Sequence, residues 1–400
     1  MSAGSGVAVA APPPPRDHFS EQLLPFDFQP LNRVIAGPGV LQRLGEAALT
    51  LGSRRVLLVT DPGLEQVGHP QRAQAILEAA GVKVAVFDGV KENPTERDVE
   101  AGTQFARSQQ IDCIVAVGGG SAMDCAKGIN FLLTNGGRIS DYKGYGKASR
   151  PMLPSIGIPT TAGTGSEAQS YALITDEKTH LKMACGDRKA AFRLVLLDPE
   201  LTLTQPHHVT AATGIDAIAH AVESFVCTRR NPFAQMLART AWEYLSKHFE
   251  TVLREPHHLP ARWNMLLGAH LAGMAIENSM LGICHSCANP LTAHYGITHG
   301  VAIGIMLPHV VRFNGERIEP LYADLLGCEY RGDRQATEIL AERILHFTHT
   351  AGLPQRLRDC GVSRTILSLL AEEAHQQWTA RFNPRPVSES DLLRVYEAAW

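Results

Sequence analysis

The 400-residue chain lacks the long apolar runs and the basic runs that mark two large classes of protein. No apolar stretch approaches the roughly 18 to 20 residues that a helix needs to cross a bilayer. The formal net charge is -3, and the chain has no long run of lysine and arginine. Both observations argue against nucleic-acid binding. We therefore expect neither a membrane nor a nucleic acid as a partner.

Cysteine is also scarce, because only eight cysteines are scattered through the chain. Cys284 and Cys287 form a CxxC around His285, but a structural zinc site needs a second ligand pair and no second CxxC exists. The pair is interpreted as two half-buried thiols on a helix. Scattered cysteines fit a reducing compartment, and residues 1–15 lack the basic and apolar regions of a signal peptide. A cytoplasmic protein is expected.

What the chain does have is the composition of an ordinary globular protein, with 44 % hydrophobic and 19 % charged residues. Its length suggests two domains. Small residues and four consecutive prolines, Pro12 to Pro15, open the sequence. Residues 1–30 are therefore predicted to be a disordered tail and lead-in.

The first half of the chain alternates short β-branched runs with helical patterns. The predicted strands are 55–60, 82–87, 111–117 and 155–158, and the predicted helices between them are 39–51, 71–80 and 96–108. Continuous apolar strands of this kind suit a parallel sheet that is buried on both faces. This pattern predicts an open α/β sheet with ligands at the carboxyl ends of its strands.

Strand signals vanish after about residue 205, where amphipathic helical patterns dominate. These patterns cover 233–249, 261–277 and 336–349. Proline-containing breaks at Asp198-Pro199 and Gln205-Pro206 punctuate the change. We predict an α/β domain over 31–204, followed by an all-helical domain over 205–400.

Four residues of the second half have the chemistry of a metal site. Asp216 and His220 are spaced i, i+4, which places a carboxylate and an imidazole on one face of a helix. His285 and His299 follow in glycine-flanked, apolar segments. One carboxylate and three imidazoles suit a divalent ion such as Fe(II) or Zn(II). Chance pairing among 17 histidines is the competing explanation.

Two glycine-containing loops of the first half are candidates for nucleotide binding. Strand 111–117 runs into Gly118-Gly119-Gly120-Ser121 and a helix, where backbone N–H groups and the helix dipole favour a phosphate. A second loop, Pro159 to Glu167, is rich in threonine and glycine and suits a phosphate or the nicotinamide ribose. Asp61 ends the first predicted strand, where a carboxylate either binds adenine-ribose hydroxyls or caps a helix.

Taken together, these motifs resemble the iron-containing (group III) alcohol dehydrogenase family. The resemblance runs from about Pro38 to the C-terminus and includes the ending Asn383-Pro384-Arg385-Pro386. It implies a cleft between a nucleotide-binding α/β domain and a helical domain that holds the metal. It implies metal ligation by Asp216, His220, His285 and His299. It implies NAD contacts at Asp61, Asn93, Gly119, Gly120, Ser121, Asp124, Thr160, Thr161, Thr164 and Lys182, the last of these on the resemblance alone.

The chain departs from the family at one position. The family commonly has a second histidine four residues after the one matched by His285, and here that position is Asn289. Asparagine cannot exchange a proton near neutral pH. Solvent, a ribose hydroxyl or His294 would then have to carry the proton, and Tyr171 would narrow the substrate region.

We therefore predict an NAD-dependent, metal-dependent oxidoreductase that acts on a small alcohol or aldehyde. The resemblance also implies a homo-oligomer. Two alternatives remain open: a lyase of the dehydroquinate synthase type, which needs a basic cluster that the sequence does not show, and a catalytically idle nucleotide- or metal-binding homologue.

Overall fold

The computed structural model describes residues 25–177, 182–328 and 333–400. The first 24 residues of the predicted tail lie outside the described residues. The segment that precedes the first strand contacts the helical half of the chain. The rings of Phe28 and Phe233 stack there at 4.7 Å.

Nine strands occur in the described residues, all of them in the first half. They are β1 Arg33–Ala36, β2 Arg55–Val59, β3 Lys83–Phe87, β4 Cys113–Gly118, β5 Gly144–Tyr145, β6 Ser155–Pro159, β7 Tyr171–Thr175, β8 Lys182–Gly186 and β9 Leu194–Leu197. The four strands predicted from the sequence are β2, β3, β4 and β6, each displaced by no more than two residues at its ends.

Thirteen α-helices accompany the strands in the same described ranges. They are α1 Leu44–Thr50, α2 Pro62–Val67, α3 His69–Ala79, α4 Glu96–Ser108, α5 Gly120–Asn135, α6 His207–Val226, α7 Pro232–Arg254, α8 Leu259–Glu277, α9 Ile283–Tyr295, α10 His299–Leu326, α11 Gln335–Thr350, α12 Leu367–Gln376 and α13 Glu389–Ala399. The six predicted helices match α1, α3, α4, α7, α8 and α11, although residues 40–43 before α1 form a 3-10 turn.

Six strands form one fully parallel sheet in the order β1-β9-β6-β4-β2-β3. The central strand β4 is buried at every position, which explains its unbroken apolar sequence. The predicted open parallel sheet is therefore confirmed. A second sheet, β5-β8-β7, was not predicted, because its strands are short and only partly apolar.

The second half is helical in the part of the chain that the structure describes, as predicted. Apolar side chains of α6, α7, α8 and α10 form its core. No helix among the described residues is long and apolar enough to cross a membrane. The predicted half-buried thiols of Cys284 and Cys287 are a small error. Both are completely buried, since α9 packs between α10 and α12.

The loop after β6 joins the two halves of the molecule. A Cβ on Gly163 would lie 2.4 Å from the Thr213 side chain on α6. A Cβ on Gly165, where φ is +60°, would lie 2.7 Å from Gly273 on α8. Only glycine permits this approach and this backbone conformation. The predicted nucleotide loop therefore lies directly against the helical half.

Candidate active site

Three helices bring the four predicted metal-site residues together. Asp216 and His220 lie one turn apart on α6, His285 lies in the first turn of α9, and His299 begins α10. The Asp216 Oδ1 atom is 3.3 Å from His220 Nε2, 3.3 Å from His285 Nε2 and 3.7 Å from His299 Nε2. We call these four residues the Asp216 cluster.

The close packing of α10 on α6 is what brings His299 to the cluster. A Cβ on Gly300 would lie 2.0 Å from the carbonyl oxygen of Ala212, so only glycine fits beside His299. The imidazoles then face one another: the His220 and His285 rings stack at 4.8 Å, and those of His285 and His299 lie 5.4 Å apart.

Three residues of the Asp216 cluster are buried, and the fourth, His299, is partly exposed. The side chains of Asp216, His220 and His285 are 6 %, 6 % and 7 % exposed, whereas that of His299 is 23 % exposed. A small molecule therefore reaches the cluster most readily from the His299 side.

The cluster leaves several buried polar atoms without hydrogen-bond partners. Among the described residues, these atoms include Asp216 Oδ1, His285 Nε2, His220 Nδ1 and His299 Nδ1. Buried polar atoms are nearly always paired, because an unpaired one costs about 1–3 kcal/mol. The three residues Asp216, His220 and His285 also offer ligand atoms that all lie within 4.8 Å of one another.

The electrostatics of the cluster favour a cation beside the carboxylate. Burial alone would raise the pKa of Asp216, but the neighbouring His220, His285 and His299 outweigh it and hold that pKa well below its ordinary value. Burial lowers the pKa of His220. A neutral imidazole and an ionised carboxylate are the forms that bind metals.

The predicted nucleotide residues gather at the carboxyl ends of three adjacent strands. Asp61 follows β2, Gly119 to Ser121 follow β4, and Thr160 to Thr164 follow β6. The two glycine-containing loops touch, because a Cβ on Gly120 would lie 2.7 Å from the Thr164 methyl group. One on Gly119 would lie 3.3 Å from Thr161 Oγ1.

Asp61 and Asn93 flank this edge with defined backbone roles. Asp61 caps α2 by accepting the Leu64 N–H at 3.1 Å, so the helix-cap interpretation of this residue is correct. Its position at the strand end is also the one expected for a ribose contact. Asn93 adopts φ 52°, and its N–H donates to Ser121 Oγ at 3.3 Å.

Asp124 belongs to a buried network that the sequence did not reveal. The Ser166 hydroxyl donates to Asp124 Oδ1 at 2.5 Å. Lys127 Nζ donates to Ser166 O at 2.7 Å, to Ser166 Oγ at 2.8 Å and to Tyr171 O at 2.7 Å. We call Asp124, Lys127 and Ser166 the Lys127 network. It ties α5 to the loop after β6, and burial raises the pKa of Asp124.

Lys182 begins β8 and is partly buried, and its charge interacts with both groups of residues. Burial lowers its pKa, and the charges of Asp124 and Asp216 oppose that shift. The same amine lowers the pKa of His299 after burial, which is the larger cause. Lys182 therefore lies within electrostatic reach of both the nucleotide edge and the Asp216 cluster.

The structure also places the residues linked to the missing histidine. Asn289 lies one turn after His285 on α9, and its amide donates to Gln377 Oε1 at 3.2 Å. His294 pairs instead with Glu373 of α12 at 2.8 Å, near the surface. Tyr171 contacts Trp378, with ring centroids 5.7 Å apart.

Sequence reasoning missed Glu223, which lies on α6 and contacts His285. Glu223 Oε2 is 2.5 Å from His285 Nδ1, and the Glu223 side chain is 4 % exposed. A signal was present: Glu223 follows His220 at i+3 and so continues the face that carries Asp216 and His220.

Comparisons with known proteins match most of the chain to one family. The family model described as iron-containing alcohol dehydrogenase matches residues 31–199, and its C-terminal counterpart matches residues 210–400. Alcohol dehydrogenase 4 of Schizosaccharomyces pombe is 37 % identical over 91 % of this chain and 86 % of its own length.

Solved structures are similar over the same extent. A 1,3-propanediol oxidoreductase structure has a TM-score of 0.90 at 34 % identity and covers 94 % of this chain and 100 % of its own. A sulfoacetaldehyde reductase of Bifidobacterium kashiwanohense, solved in complex with NAD+, has a TM-score of 0.84 at 26 % identity, covering 94 % of this chain and 99 % of its own.

Proposed function

Because this chain belongs to the iron-containing alcohol dehydrogenase family, we propose that the Asp216 cluster holds a divalent ion at the centre of its active site. The ligands are Asp216, His220, His285 and His299. Their donor set accepts both Fe(II) and Zn(II), and the family favours iron.

The reaction class is the one that the sequence predicts. The protein is a metal-dependent oxidoreductase that transfers a hydride between NAD(H) and an alcohol or aldehyde. The lyase alternative is not favoured, because both family models and the named relatives are dehydrogenases and reductases. We propose a small alcohol or aldehyde as the substrate of this chain.

The observation that carries the metal assignment is the set of unpaired buried atoms. Asp216 Oδ1 and His285 Nε2 are buried, face each other at 3.3 Å and make no hydrogen bond in the part of the chain that the structure describes. A cation between them would satisfy both atoms. A purely structural cluster would instead pair its own polar atoms, as the Lys127 network does.

When bound, the ion supplies a Lewis acid that stabilises negative charge on the substrate oxygen. The chain's own residues supply position and shelter. The opening beside His299 admits the alcohol, while the loop after β6 and the loop after β4 hold the nicotinamide nucleotide. A nucleotide held there would accept hydride from the carbinol carbon, and the hydroxyl proton would leave to solvent or to a ribose hydroxyl. Holding the two carbons in contact and excluding water are the protein's main contributions.

The nucleotide contacts proposed for this chain are Asp61, Asn93, Gly119, Gly120, Ser121, Asp124, Thr160, Thr161, Thr164 and Lys182. For Asp61, for Gly119 to Ser121 and for the three threonines, the support is the shared edge of three adjacent strands and the contact between the two glycine-containing loops. Thr164 has two roles, because its hydroxyl also accepts the Ser166 N–H at 3.2 Å.

Proton release in this chain is proposed not to use α9. Asn289 does not titrate, and its amide is engaged by Gln377. His294 is engaged by Glu373. Solvent or a nucleotide ribose hydroxyl remains as the route. A homo-oligomer in the cytoplasm, with no nucleic-acid partner, completes the proposal.

A reconstitution assay tests this function. Metal-stripped protein is assayed for NADH oxidation against a panel of small aldehydes, before and after addition of Fe(II) without oxygen, or of Zn(II). We expect turnover only after metal is added. Equal turnover of the stripped protein would contradict the metal assignment, and no turnover with any aldehyde would favour the idle homologue.

A further inference from the structure

Among the three histidines of the Asp216 cluster, only His285 has its second ring nitrogen bound to a carboxylate. Glu223 Oε2 lies 2.5 Å from His285 Nδ1. The other ring nitrogen, Nε2, is unpartnered and lies 3.3 Å from Asp216 Oδ1. The Nδ1 atoms of His220 and His299 have no hydrogen-bond partner among the described residues.

Glu223 is itself fixed by a second contact. Its Oε1 atom accepts the backbone N–H of Cys284 at 2.8 Å. This N–H lies in the first turn of α9, where backbone donors have no partner within the helix. The two carboxylate oxygens therefore have separate tasks, one toward the helix backbone and one toward the imidazole. Both atoms act as acceptors, which fixes the hydrogen on His285 at Nδ1.

We propose that Glu223 is a positioning residue that holds His285 in the tautomer whose Nε2 lone pair faces the metal. The inference rests on the proposed metal site. A neutral imidazole carries one ring hydrogen, and that hydrogen must be on Nδ1 for Nε2 to bind a cation. A carboxylate behind a ligating histidine fixes its orientation and increases its donor strength.

Gly282 and the Asn383–Asn314 pair lie behind Glu223 and limit its movement on that side. A Cβ on Gly282 would lie 2.9 Å from Glu223 Oε1 and 3.1 Å from Asn383 Oδ1. Asn383 is held in turn by a reciprocal amide pair with Asn314, at 3.0 Å and 2.8 Å. The C-terminal segment thus lines the small space behind the carboxylate, and a side chain larger than that of Gly282 would crowd Glu223 Oε1.

The substitution Glu223→Gln changes this chemistry while keeping the shape. Either the glutamine NH2 group faces His285 Nδ1 and moves the ring hydrogen to Nε2, or it faces the Cys284 N–H, where two donors oppose each other. We expect the dissociation constants of the metal-stripped protein for Zn(II) and Co(II) to rise about 10–100-fold. We also expect the visible spectrum of the Co(II) form to change.

Glu319→Gln is the matched control. Glu319 is also a buried carboxylate on a helix of this half, and it accepts the backbone N–H groups of Ala336 and Thr337 at 2.7 Å and 3.1 Å. This variant should lower thermal stability without changing the metal dissociation constant or the Co(II) spectrum.

Gly282→Ala is a second variant that retains the carboxylate but pushes it away. We expect it also to raise the metal dissociation constant, and its result decides the matter if Glu223→Gln does not fold. Wild-type affinity and an unchanged Co(II) spectrum in a folded Glu223→Gln, or in Gly282→Ala, would overturn the inference. A wild-type protein that binds no metal would instead overturn the proposed function.

Discussion

The Asp216 cluster and the Lys127 network are both buried and charged, yet they differ in how their polar atoms are satisfied. Lys127 donates three hydrogen bonds, two to Ser166 and one to the Tyr171 carbonyl oxygen. The Ser166 hydroxyl in turn donates a hydrogen bond to Asp124. In the Asp216 cluster, buried acceptors face one another with no hydrogen bond between them. The first arrangement pairs its polar atoms within the protein, whereas the second leaves buried atoms that a cation would satisfy.

This difference separates stability from metal binding. A closed network ties elements together, and its loss costs folding free energy. An open cluster leaves ligand atoms available, and its loss costs binding. The pKa of Asp216 is depressed in the cluster, while the pKa of Asp124 is raised in the network.

The largest effect is expected at the open cluster. Asp216→Ala and His285→Ala should each abolish metal binding and lower turnover by about a thousandfold or more, since a Lewis acid supplies several kcal/mol. The fold should remain, because most of the other buried residues of α6 are apolar. Elemental analysis and circular dichroism of the purified variants check both parts. Undiminished metal occupancy in either variant would refute the assignment of that ligand.

Lys127→Met is expected to do the reverse and reduce stability rather than metal binding. It leaves buried Asp124 without its cation, which typically costs about 3–5 kcal/mol of unfolding free energy. Denaturant unfolding measures the loss, and the metal dissociation constant should stay at the wild-type value.

Lys189→Met provides the matched comparison for that variant. Lys189 also pairs with an aspartate, Asp187 at 3.1 Å, but its own side chain is 43 % exposed. Its loss should cost no more than about 1 kcal/mol. Equal losses in the two lysine variants would mean that the Lys127 network contributes nothing special to stability.

Asp61 is intermediate between the two regions in how its polar atoms are satisfied. Only one of its carboxylate oxygens accepts the N–H group of the helix cap. Asp61→Ser keeps a capping oxygen but removes the charge that would repel a 2′-phosphate. The ratio of kcat/KM for NAD over NADP should fall by about tenfold, which is about 1.4 kcal/mol. An unchanged ratio would leave Asp61 as a helix cap alone.

The smallest effect is expected at Asn289, whose amide is already engaged by Gln377. Asn289→His introduces a group that titrates near pH 6 to 7. The pH profile of alcohol oxidation should change shape in that range. Profiles that superimpose from pH 5 to 10 at equal metal content would show that this position takes no part in proton transfer.

The sequence predicted the parts of the molecule that depend on local pattern. The strands β2, β4 and β6 are continuous apolar runs, and the Asp216–His220 spacing places two side chains on one helical face whatever lies around them. The edge strand β1 and the short strands β5, β7 and β8 were missed, because brief, partly exposed strands depend on their neighbours rather than on their own sequence. The strand β9 was also missed, although its four residues are apolar and buried.

Long-range contacts were equally invisible in the sequence. The partner of His285 is 62 residues away, and the Asn289–Gln377 contact spans 88 residues. The hydrogen bond between Ser166 and Asp124 joins the loop after β6 to α5, which the sequence suggested only as separate nucleotide motifs. These contacts decide which buried polar atoms remain unpaired. They therefore also decide which cluster can bind a ligand.

The central claim is that the open cluster, and not the closed network, binds the catalytic metal. An anomalous difference map from crystals grown with Zn(II) tests it most directly. We predict one dominant peak at about 2.0–2.2 Å from Asp216 Oδ1 and from imidazole nitrogens of His220, His285 and His299. A dominant peak at Asp124, or elsewhere away from Asp216, would contradict the account.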